Sequence, residues 1–296
     1  MSILIDEHTR IVVQGLSGYQ ATFDTEGSLR YGSNVVAGVV PGRKGQTILG
    51  LPMYNTVKEA VEKEGAEATV IYVPAAGAKD AILEAADAGI RLAVVVSEKV
   101  PNRDFAEAYG IAANKGMMII GPNSNGLISS GKAKMGILGN DDRYFAPGYV
   151  GVLSRSGGMN HEICNLLVRT GLGQSTAVSI GGDPMVGLSF KEGLELFQED
   201  DETKAVAMYC EPGGRLEEVA ADFVKSGGFT KPAVAFVAGK FMETMPEGTP
   251  FGHAGAIIEG GSGKPTTKIK IMEEAGITVA RRMDDIPGLI KEMITC

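Results

Sequence analysis

The stretch VVQGLSGYQA, residues 12–21, decides the fold class of this chain. A β-branched run ends at Gln14, and Gly15 and Gly18 then open a segment with helical character. A strand that passes through a glycine turn into a helix begins a strand–helix–strand unit, whose second strand is parallel to the first. The stretch therefore predicts an α/β fold built on a parallel sheet.

The same alternation continues outward from this turn to about residue 120. Short apolar runs that predict strands read IVVQ, NVVAGVV, ATVIYV, LAVVVS and MMII. Helical patterns lie between them. One is marked at both ends, because Thr56 and Glu59 fit a capping box and Gly65 stands where the helix is expected to stop. We predict a first doubly wound domain over residues 1–126.

A second domain follows a break in this pattern. Periodicity lapses and turn residues accumulate over residues 127–148, so we predict the domain linker there. Alternation then restarts with the strand-like runs YVGVLS, STAVSI, AVAMYC, AVAFVAG and ITVA, which predict a second doubly wound domain over residues 149–296. In such sheets ligands bind beyond the carboxyl ends of the strands, so the glycine-rich segments after each strand are the candidate sites.

Composition narrows the class of protein. Hydrophobic residues make up 44% of the 296 residues, which excludes a disordered chain, and the net charge of −8 disfavours nucleic acid as a partner. The N-terminus lacks the basic start and apolar core of a signal peptide, and no apolar run is long enough to span a membrane. We expect a cytoplasmic protein that binds neither nucleic acid nor a membrane.

The cysteines give no sign of a metal site or of a disulfide framework. Cys164, Cys210 and Cys296 are an odd number and lie far apart in the sequence, without the spacing of a zinc cluster. We expect reduced thiols and no bound metal.

The first glycine turn is suited to a phosphate, but it departs from the NAD fingerprint. Ser17 stands where that fingerprint has glycine, and Arg43 and Lys44 replace the acidic residue expected after the second strand. Two cations there suit NADP or coenzyme A, which carry an additional phosphate; a solvated basic turn is the alternative. The loops at residues 72–77 and 121–126 also follow strands on the same side, and together the three outline one crevice.

A histidine in a glycine loop is the candidate nucleophile. His253 stands among small residues in PFGHAGAII, and Glu211 ends the preceding strand, so both leave the sheet at the same edge. A carboxylate that accepts from one ring nitrogen leaves the other free to attack. Amide-rich segments at SRSGGMNHE and SIGGDP are candidate anion sites, which points to a phosphorylated imidazole. Metal binding is the weaker alternative, because no further ligand stands at suitable spacing.

These motifs, in this order, resemble the α subunit of the succinyl-CoA synthetase family, the nucleoside-diphosphate-forming acyl-CoA synthetases. The resemblance runs from QGLSGYQATF through GPNSNG, SRSGGMNHE and IGGDP to GHAGAII. It implies a Rossmann-like CoA-binding domain followed by a flavodoxin-like ligase domain. It also implies an ATP-grasp β subunit that binds ATP and Mg²⁺, in an αβ or α2β2 heteromer, so this chain alone should not use ATP.

The resemblance implies roles for particular residues. His253 is expected to carry the phosphoryl group, with Glu211 as its orienting partner. The residues expected to bind coenzyme A are Ser17, Gly18, Tyr19, Gln20, Arg43, Tyr72, Pro74, Val96, Ser97, Glu98 and Asn123. Those expected at the acid substrate and the phosphate are Ser154, Ser156, Gly157, Gly158, Asn160, His161, Gly181 and Gly182.

Departures from the succinate pattern fall near the acid substrate. Succinate enzymes of the family read SRSGTLTYE, whereas Gly158, Asn160 and His161 here replace threonine, threonine and tyrosine, and Ser124 and Asn125 replace the Cys-Pro pair of GPNCPG. SGGMN is similar to a segment of ATP-citrate lyase. An added glycine gives room, and an asparagine donates and accepts, which suits citrate. The resemblance thus favours a citryl-CoA synthetase without the citrate-synthase-like module that cleaves citryl-CoA.

Three alternatives stay open at this point. The acid can be succinate or malate. His161 can be a residue at the start of a helix that touches no ligand. The chain can also be a CoA-binding regulatory protein without catalysis, although such a protein has no need of His253 and Glu211 together.

Overall fold

The computed structural model describes residues 2–249, 251–259 and 263–294. Cys296, one of the three cysteines considered above, lies outside the described residues. Within those ranges every helix is too short or too polar to cross a membrane.

The first part of the chain folds as alternating strands and helices. In chain order they are β1 (Ile11–Gln14), α1 (Tyr19–Tyr31), β2 (Val35–Val39), β3 (Thr47–Ile48), β4 (Leu51–Tyr54), α2 (Val57–Glu64), β5 (Ala68–Ile71), α3 (Ala75–Asp87), β6 (Leu92–Val95), α4 (Asn102–Asn114) and β7 (Met118–Ile120). In the sheet the strands lie in the order β3-β4-β2-β1-β5-β6-β7, parallel apart from the β3–β4 hairpin. The strands after β1 are first added on one side of it and then, from β5 onward, on the other side, as in the Rossmann order. This change of side places a crevice beyond the carboxyl ends of β1 and β5.

The second part of the chain builds another sheet. Its elements are β8 (Leu127–Ser129), β9 (Ala133–Met135), β10 (Pro147–Ser154), α5 (Gly157–Arg169), β11 (Gln174–Ser179), α6 (Phe190–Glu199), β12 (Ala205–Cys210), α7 (Leu216–Lys225), β13 (Ala233–Val237), α8 (Pro265–Glu274), β14 (Thr278–Val279) and α9 (Ile286–Ile294). The order is β14-β13-β12-β10-β11-β8-β9. The parallel part, from β14 to β11, is the flavodoxin order, so the prediction of two doubly wound domains is confirmed.

Part of the predicted linker belongs to the second sheet. β8 pairs antiparallel with β11, and β9 pairs antiparallel with β8. The prediction of a linker was therefore wrong for residues 127–135. Each of these strands has three residues, too few for a period of two to be recognised, and Ser130, Gly131 and Lys132 between them read as a loop.

The sequence signals at Thr56 and Gly65 mark the two ends of α2 as predicted. Thr56 caps α2 by accepting from the Glu59 N–H at 3.2 Å, and Gly65 ends that helix in the left-handed conformation at φ 65°. The carboxylate of Glu59 accepts from the N–H of Asn55 at 3.1 Å, one residue before the expected capping-box partner.

Backbone hydrogen bonds join the two domains. The Gly121 N–H donates to Ile180 O at 3.1 Å, the Gly187 N–H donates to Gly121 O at 2.8 Å, and the Ser179 N–H donates to Gly126 O at 2.8 Å. The loop after β7 is thereby held against the carboxyl end of β11. The strand ends of the two sheets consequently face one shared region.

Candidate active site where the two sheets meet

The glycine turn after β11 lies at the centre of this shared region. The Gly182 N–H donates to Asn123 O at 3.3 Å, in the loop after β7. On its other side Gly182 O accepts from the Gly255 N–H at 3.1 Å, in the loop between β13 and α8. Segments that are 60 to 130 residues apart in sequence are thus brought together by main-chain contacts.

His253 and Glu211 form a hydrogen-bonded pair at this place. Nδ1 of His253 lies 2.8 Å from Oε2 of Glu211, and the two side chains are 30% and 10% exposed. The hydrogen bond to Glu211 raises the pKa of His253, against the opposing effects of burial and of Arg155. Because Nδ1 is engaged, Nε2 is the ring nitrogen available for attack.

Gly182 packs directly on the imidazole ring. A Cβ at this position would lie 2.5 Å from both Cγ and Cδ2 of His253, closer than real Cβ atoms approach. Only glycine therefore allows the ring to lie against this turn, which gives Gly182 a steric role beside the anion role that we predicted for Gly181 and Gly182.

Arg155 also holds this turn by hydrogen bonds to its main chain. Its side chain is buried, Nε donates to Gly181 O at 2.9 Å, and Nη2 donates to Asp183 O at 3.2 Å. Asp183 is also buried. Burial raises the pKa of its carboxyl group, while contacts with Asn123 and with the Lys99 backbone lower it.

The start of α5 is partly capped by the chain itself. Ser154 Oγ donates to Ser156 O at 2.6 Å, and Ser156 Oγ accepts from the Met159 N–H at 3.4 Å. Gly157 lies against the side chain of Asn125 and leaves no space for a Cβ. The predicted anion site at this helix therefore has fewer free amides than a bare helix start.

The three residues that favoured citrate have different surroundings. A Cβ on Gly158 would meet no atom within 4 Å, so this position faces open space. Asn160 is fully buried. His161 has Nδ1 3.0 Å from Gly157 O, and its ring packs edge-on against Phe145 with centroids 5.3 Å apart. Gly158 is thus exposed, His161 is half-buried with Nδ1 engaged, and Asn160 is buried, so Gly158 is the most open of the three to a ligand.

The predicted CoA turn is open to solvent. Its exposed members are Ser17, Gly18, Tyr19 and Gln20. Gly18 begins α1 without a side-chain cap, so the first amides of the helix are available to a phosphate. Gly15 supports the turn, because a Cβ there would lie 3.2 Å from the carbonyl group of Tyr72. The free amides and this close approach fit the phosphates of coenzyme A.

A buried polar cluster lies behind the turn. Asp24 is fully buried and accepts from Gln20 Nε2 at 2.9 Å and from Asn140 Nδ2 at 2.6 Å. Burial, together with Asp24, raises the pKa of Tyr72 well above its ordinary value. Nζ of the fully buried Lys134 donates to Asn140 Oδ1, and burial lowers the pKa of Lys134 to about 8. Two predicted CoA residues, Gln20 and Tyr72, are thus linked to β9 of the second domain.

The other predicted CoA residues line the strand ends of the first sheet. Ser97 follows β6, donates to Val73 O, and accepts from the Asn123 N–H at its own carbonyl at 2.8 Å. Val96 is half-buried beside it, and Glu98 is exposed. Ser97 and Asn123 therefore connect the end of β6 with the turn on which His253 packs.

Two predicted residues lie at the rim. Pro74 is exposed at the start of α3. Arg43 is exposed and donates to Gln46 Oε1 at 3.1 Å, whereas Nζ of Lys44 pairs with Glu59 Oε1 at 2.5 Å. Arg43 is the better candidate for a phosphate contact, because it donates to a neutral side chain whereas Lys44 is paired with a carboxylate.

A small cavity adjoins the histidine pair. It has a volume of about 230 Å³ and is bounded by Glu211, His253 and mainly apolar side chains, among them Phe241 and Phe251. The two phenylalanines pack edge-on with ring centroids 4.8 Å apart. Both phenylalanines are half exposed, so the cavity beside the histidine pair opens towards solvent.

Comparison with known proteins gives two domain matches and close relatives. A model of CoA-binding domains matches residues 6–99, and a model of CoA-ligases matches residues 153–281. Over 294 residues the chain is 48% identical to the ADP-forming succinate–CoA ligase subunit alpha 2 of Archaeoglobus fulgidus, covering 99% of this chain and 100% of that protein. It is 43% identical to the corresponding alpha subunit of Staphylococcus aureus, covering 99% and 95%.

The chain belongs to the succinate–CoA ligase alpha-subunit family. The predicted family and the predicted acid–CoA ligase class are therefore confirmed, and the match at residues 6–99 supports coenzyme A as the cofactor.

Solved structures of ATP citrate lyases are similar to this alpha-subunit homologue. ATP citrate lyase from Methanothrix soehngenii, in complex with citrate and coenzyme A, superposes with a TM-score of 0.89 at 27% identity. The alignment covers 99% of this chain and 50% of that chain, so the chain spans about half the length of the lyase. A mutant of Methanosaeta concilii ATP citrate lyase in complex with (3S)-citryl-CoA gives a TM-score of 0.90.

Sequence reasoning missed the buried charges around the alpha-subunit site. Asp24, Lys134, Glu217 and Lys268 are fully buried, yet they read as surface charges in the sequence. One signal was available for Lys268. It falls between Pro265 and Met272 on the buried face of α8, at helical spacing.

Proposed function

We propose that this chain is the subunit of an ATP-dependent acid–CoA ligase that binds coenzyme A and becomes phosphorylated on His253. The observation that carries the proposal is the 2.8 Å contact between Nδ1 of His253 and Glu211, at the meeting point of the strand ends. A neutral imidazole with Nδ1–H donated to a carboxylate has its lone pair on Nε2. The same pair argues against a regulatory protein that only binds CoA.

The chain's own residues suit each stage of this function. Nε2 of His253 attacks the γ-phosphorus of ATP as the bond to ADP breaks, and Glu211 stabilises the positive charge on the ring. A carboxylate oxygen of the acid then accepts the phosphoryl group, and the CoA thiol displaces phosphate to form the thioester. The turn beside the ring offers the Gly181 amide to the phosphoryl group, whereas the Gly182 N–H is already donated to Asn123 O.

The partner in this proposal is an ATP-grasp β subunit that holds ATP and Mg²⁺. The relatives named above are alpha subunits by name, which supports a second subunit here. The chain has no phosphate-binding motif of the GxxxxGK[ST] kind, so it is expected to bind CoA alone but to turn nothing over.

Citrate is the proposed acid. Gly158 supports it, because the position that is threonine in succinate enzymes faces open space here. The fold similarity to ATP citrate lyases supports it as well. Succinate is the second candidate, favoured by the names of relatives that are 43% to 48% identical; malate is the third.

Two measurements on the reconstituted complex test these proposals. Incubation with γ-labelled ATP should give an acid-labile, base-stable label on this chain that His253→Asn removes and His8→Asn, at an exposed position, leaves in place. Label that persists in His253→Asn contradicts the phosphohistidine. For the acid, kcat/KM for thioester formation should be higher with citrate than with succinate or malate, without release of oxaloacetate. Equal or higher kcat/KM with succinate contradicts citrate and leaves the phosphohistidine standing.

A further inference from the structure

A buried ion cluster lies behind Glu211. Lys268 on α8 has a fully buried side chain, and its Nζ lies 2.7 Å from Glu217 Oε2, 2.8 Å from Glu218 Oε2 and 3.2 Å from Gly214 O. An ammonium group has three protons to donate, and these three oxygens accept them. The charge on Lys268 is therefore fully partnered, as a buried charge must be.

The cluster is connected to the histidine pair through one carboxylate. Glu217 is fully buried and uses Oε2 for Lys268, while its Oε1 accepts from the Glu211 N–H at 3.2 Å. Glu211 in turn accepts from His253 at 2.8 Å. A continuous chain of contacts thus runs from Lys268 through Glu217 and Glu211 to the imidazole.

The cluster also fixes the turn that follows Glu211. Lys268 donates to Gly214 O, and the neighbouring Gly213 lies so close to the backbone of Gly255 and Ile257 that it has no space for a Cβ. Gly255 and Ile257 belong to the loop that carries His253. A shift of this turn would therefore move Glu211 and the histidine loop relative to each other.

Helix stabilisation does not account for this arrangement. Glu217 and Glu218 stand in the first turn of α7, where acidic side chains favour the helix dipole even when they are exposed. Here Glu217 is fully buried, and its Oε1 accepts from Glu211, outside the helix. Buried ion pairs often add little stability compared with apolar residues of the same size, so their geometry is the better guide to their role.

We propose that Lys268 and Glu217 are positioning residues that hold the Glu211 carboxylate against Nδ1 of His253. The proposal rests on the phosphohistidine function given above. Glu217 fixes the position of the Glu211 main chain by its hydrogen bond to the N–H. Lys268 fixes the Glu217 carboxylate and the turn at Gly214. Removing either lets the Glu211 carboxylate leave the imidazole while the reacting groups stay in the protein.

The test uses Lys268→Met and Glu217→Gln in the β-subunit complex, with Lys270→Met as the matched control. Lys270 is on the same helix and pairs with Glu274 at 3.9 Å, with both side chains exposed. Displacing a reacting group by about 1 Å through a remote substitution can cost about 100-fold in rate, so a loss of roughly 10- to 100-fold is expected for a displaced Glu211. We expect the rate of His253 phosphorylation to fall by that amount in both variants, with CoA affinity unchanged, and to stay at the wild-type value in Lys270→Met.

A second readout separates positioning from general stability. The chain has three histidines, His8, His161 and His253, so ring signals of isotope-labelled histidine can be assigned by substitution. Loss of the Glu211 contact should lower the pKa of His253 in Lys268→Met. If that variant does not fold, Lys268→Met combined with Glu217→Leu supplies an apolar pair in the same space, and the same lowered pKa is expected.

Unchanged phosphorylation and an unchanged His253 pKa in a folded variant would overturn the proposal. The His253 pKa is measured without ATP, so it reports on the positioning even if the wild-type complex is not phosphorylated. Absence of label in the wild type contradicts the proposed function, whereas an unchanged pKa contradicts the positioning.

Discussion

At the carboxyl edge of the first sheet the turn into α1 is exposed, whereas at the corresponding edge of the second sheet the charged groups beside His253 are buried. Gly18 begins α1 with no side-chain cap, but Ser156 caps α5 with its own hydroxyl. The first edge offers free backbone amides to an incoming phosphate. The second holds Glu211 and Arg155 away from water, beside the histidine. Binding a large ligand needs an open turn, while activating a ring nitrogen needs partners that cannot move.

The buried lysines behind the two edges show the same difference. Lys268 donates to two carboxylates and a carbonyl group. Lys134 donates to the amide oxygen of Asn140, with Asp24 as its nearest favourable charge. Burial accordingly lowers the pKa of Lys134 to about 8. The charge behind the histidine is fixed by opposite charges, and the charge behind the CoA turn is only weakly compensated.

The largest expected effect comes from Glu211→Gln, which removes the negative charge beside His253 at the carboxyl edge of the second sheet. The phosphorylation rate should fall roughly 10²- to 10³-fold, the cost of losing one preorganised electrostatic partner. Because Glu211 raises the pKa of His253, the wild-type rate should increase as pH rises through that pKa, when Nε2 loses its proton. In the variant this increase should begin at lower pH, in quenched-flow measurements with labelled ATP. An unchanged pH profile contradicts the role of Glu211.

A smaller effect should follow from Gly182→Ala, which tests the fixed position of the ring. The added Cβ would lie 2.5 Å from two imidazole atoms, so the ring must shift. A displacement of about 1 Å can reduce rates ~100-fold. CoA affinity, measured by calorimetry, should fall less than the phosphorylation rate, because the exposed turn before α1 is a separate segment from the turn at Gly182. Gly288→Ala in α9, where a Cβ meets nothing within 4 Å, is the control. Loss of CoA binding in Gly182→Ala would show that the two edges are not separate.

Lys134→Met should reveal the weakly compensated charge. A lysine whose pKa falls from 10.5 to about 8 on folding binds its proton less tightly in the folded state. Stability therefore rises with pH between those values, by about 3 kcal/mol from this group. The free energy of unfolding should rise by that amount more in the wild type than in Lys134→Met, measured by denaturant titration across this range. Parallel curves for the two proteins contradict a buried, weakly compensated lysine.

The smallest effect is expected on CoA binding, from the exposed Arg43 at the carboxyl edge of the first sheet. Arg43→Ala should weaken CoA binding a few-fold at low salt, because an exposed contact to a phosphate is worth roughly 1 kcal/mol and is screened by ions. The difference from the wild type should shrink as salt is raised. Lys58→Ala, at an exposed ion pair with Glu62, should leave CoA affinity unchanged. Equal losses in both variants would indicate a general charge effect instead of a contact at Arg43.

Sequence patterns were most informative where an element is long and bounded by clear signals. The runs at β1, β2, β5 and β6 were predicted as strands because they are continuous and apolar, and those at β1, β2 and β5 are followed by glycine or proline. The β3–β4 hairpin was not predicted, since β3 has two residues and the turn at Leu49 and Gly50 resembles a loop. Pairing between distant short strands, such as β8 with β11, depends on tertiary contacts that no local period records.

For the site, strand-end logic is what brought Glu211 and His253 together in the prediction, and the structure places them 2.8 Å apart. The surroundings of Asn160 and His161 could not be predicted in the same way. Which face of a helix start is buried depends on the segment that packs on it, here the one carrying Phe145. In the sequence, Gly158, Asn160 and His161 favoured citrate equally. In the fold Gly158 is exposed, His161 is half-buried and Asn160 is buried.

The main-chain hydrogen bonds between Gly121 and the residues at Ile180 and Gly187 bear on how the chain can be divided. A fragment cut at residue 126 would leave these amides and carbonyls unpaired, and it would expose the part of α1 that contacts β9. The two domains are therefore poor modules for separate expression or for exchange between relatives. A chimera of two such enzymes should take residues 121–187 from one parent, so that the donor and the acceptor of each interdomain hydrogen bond come from the same protein.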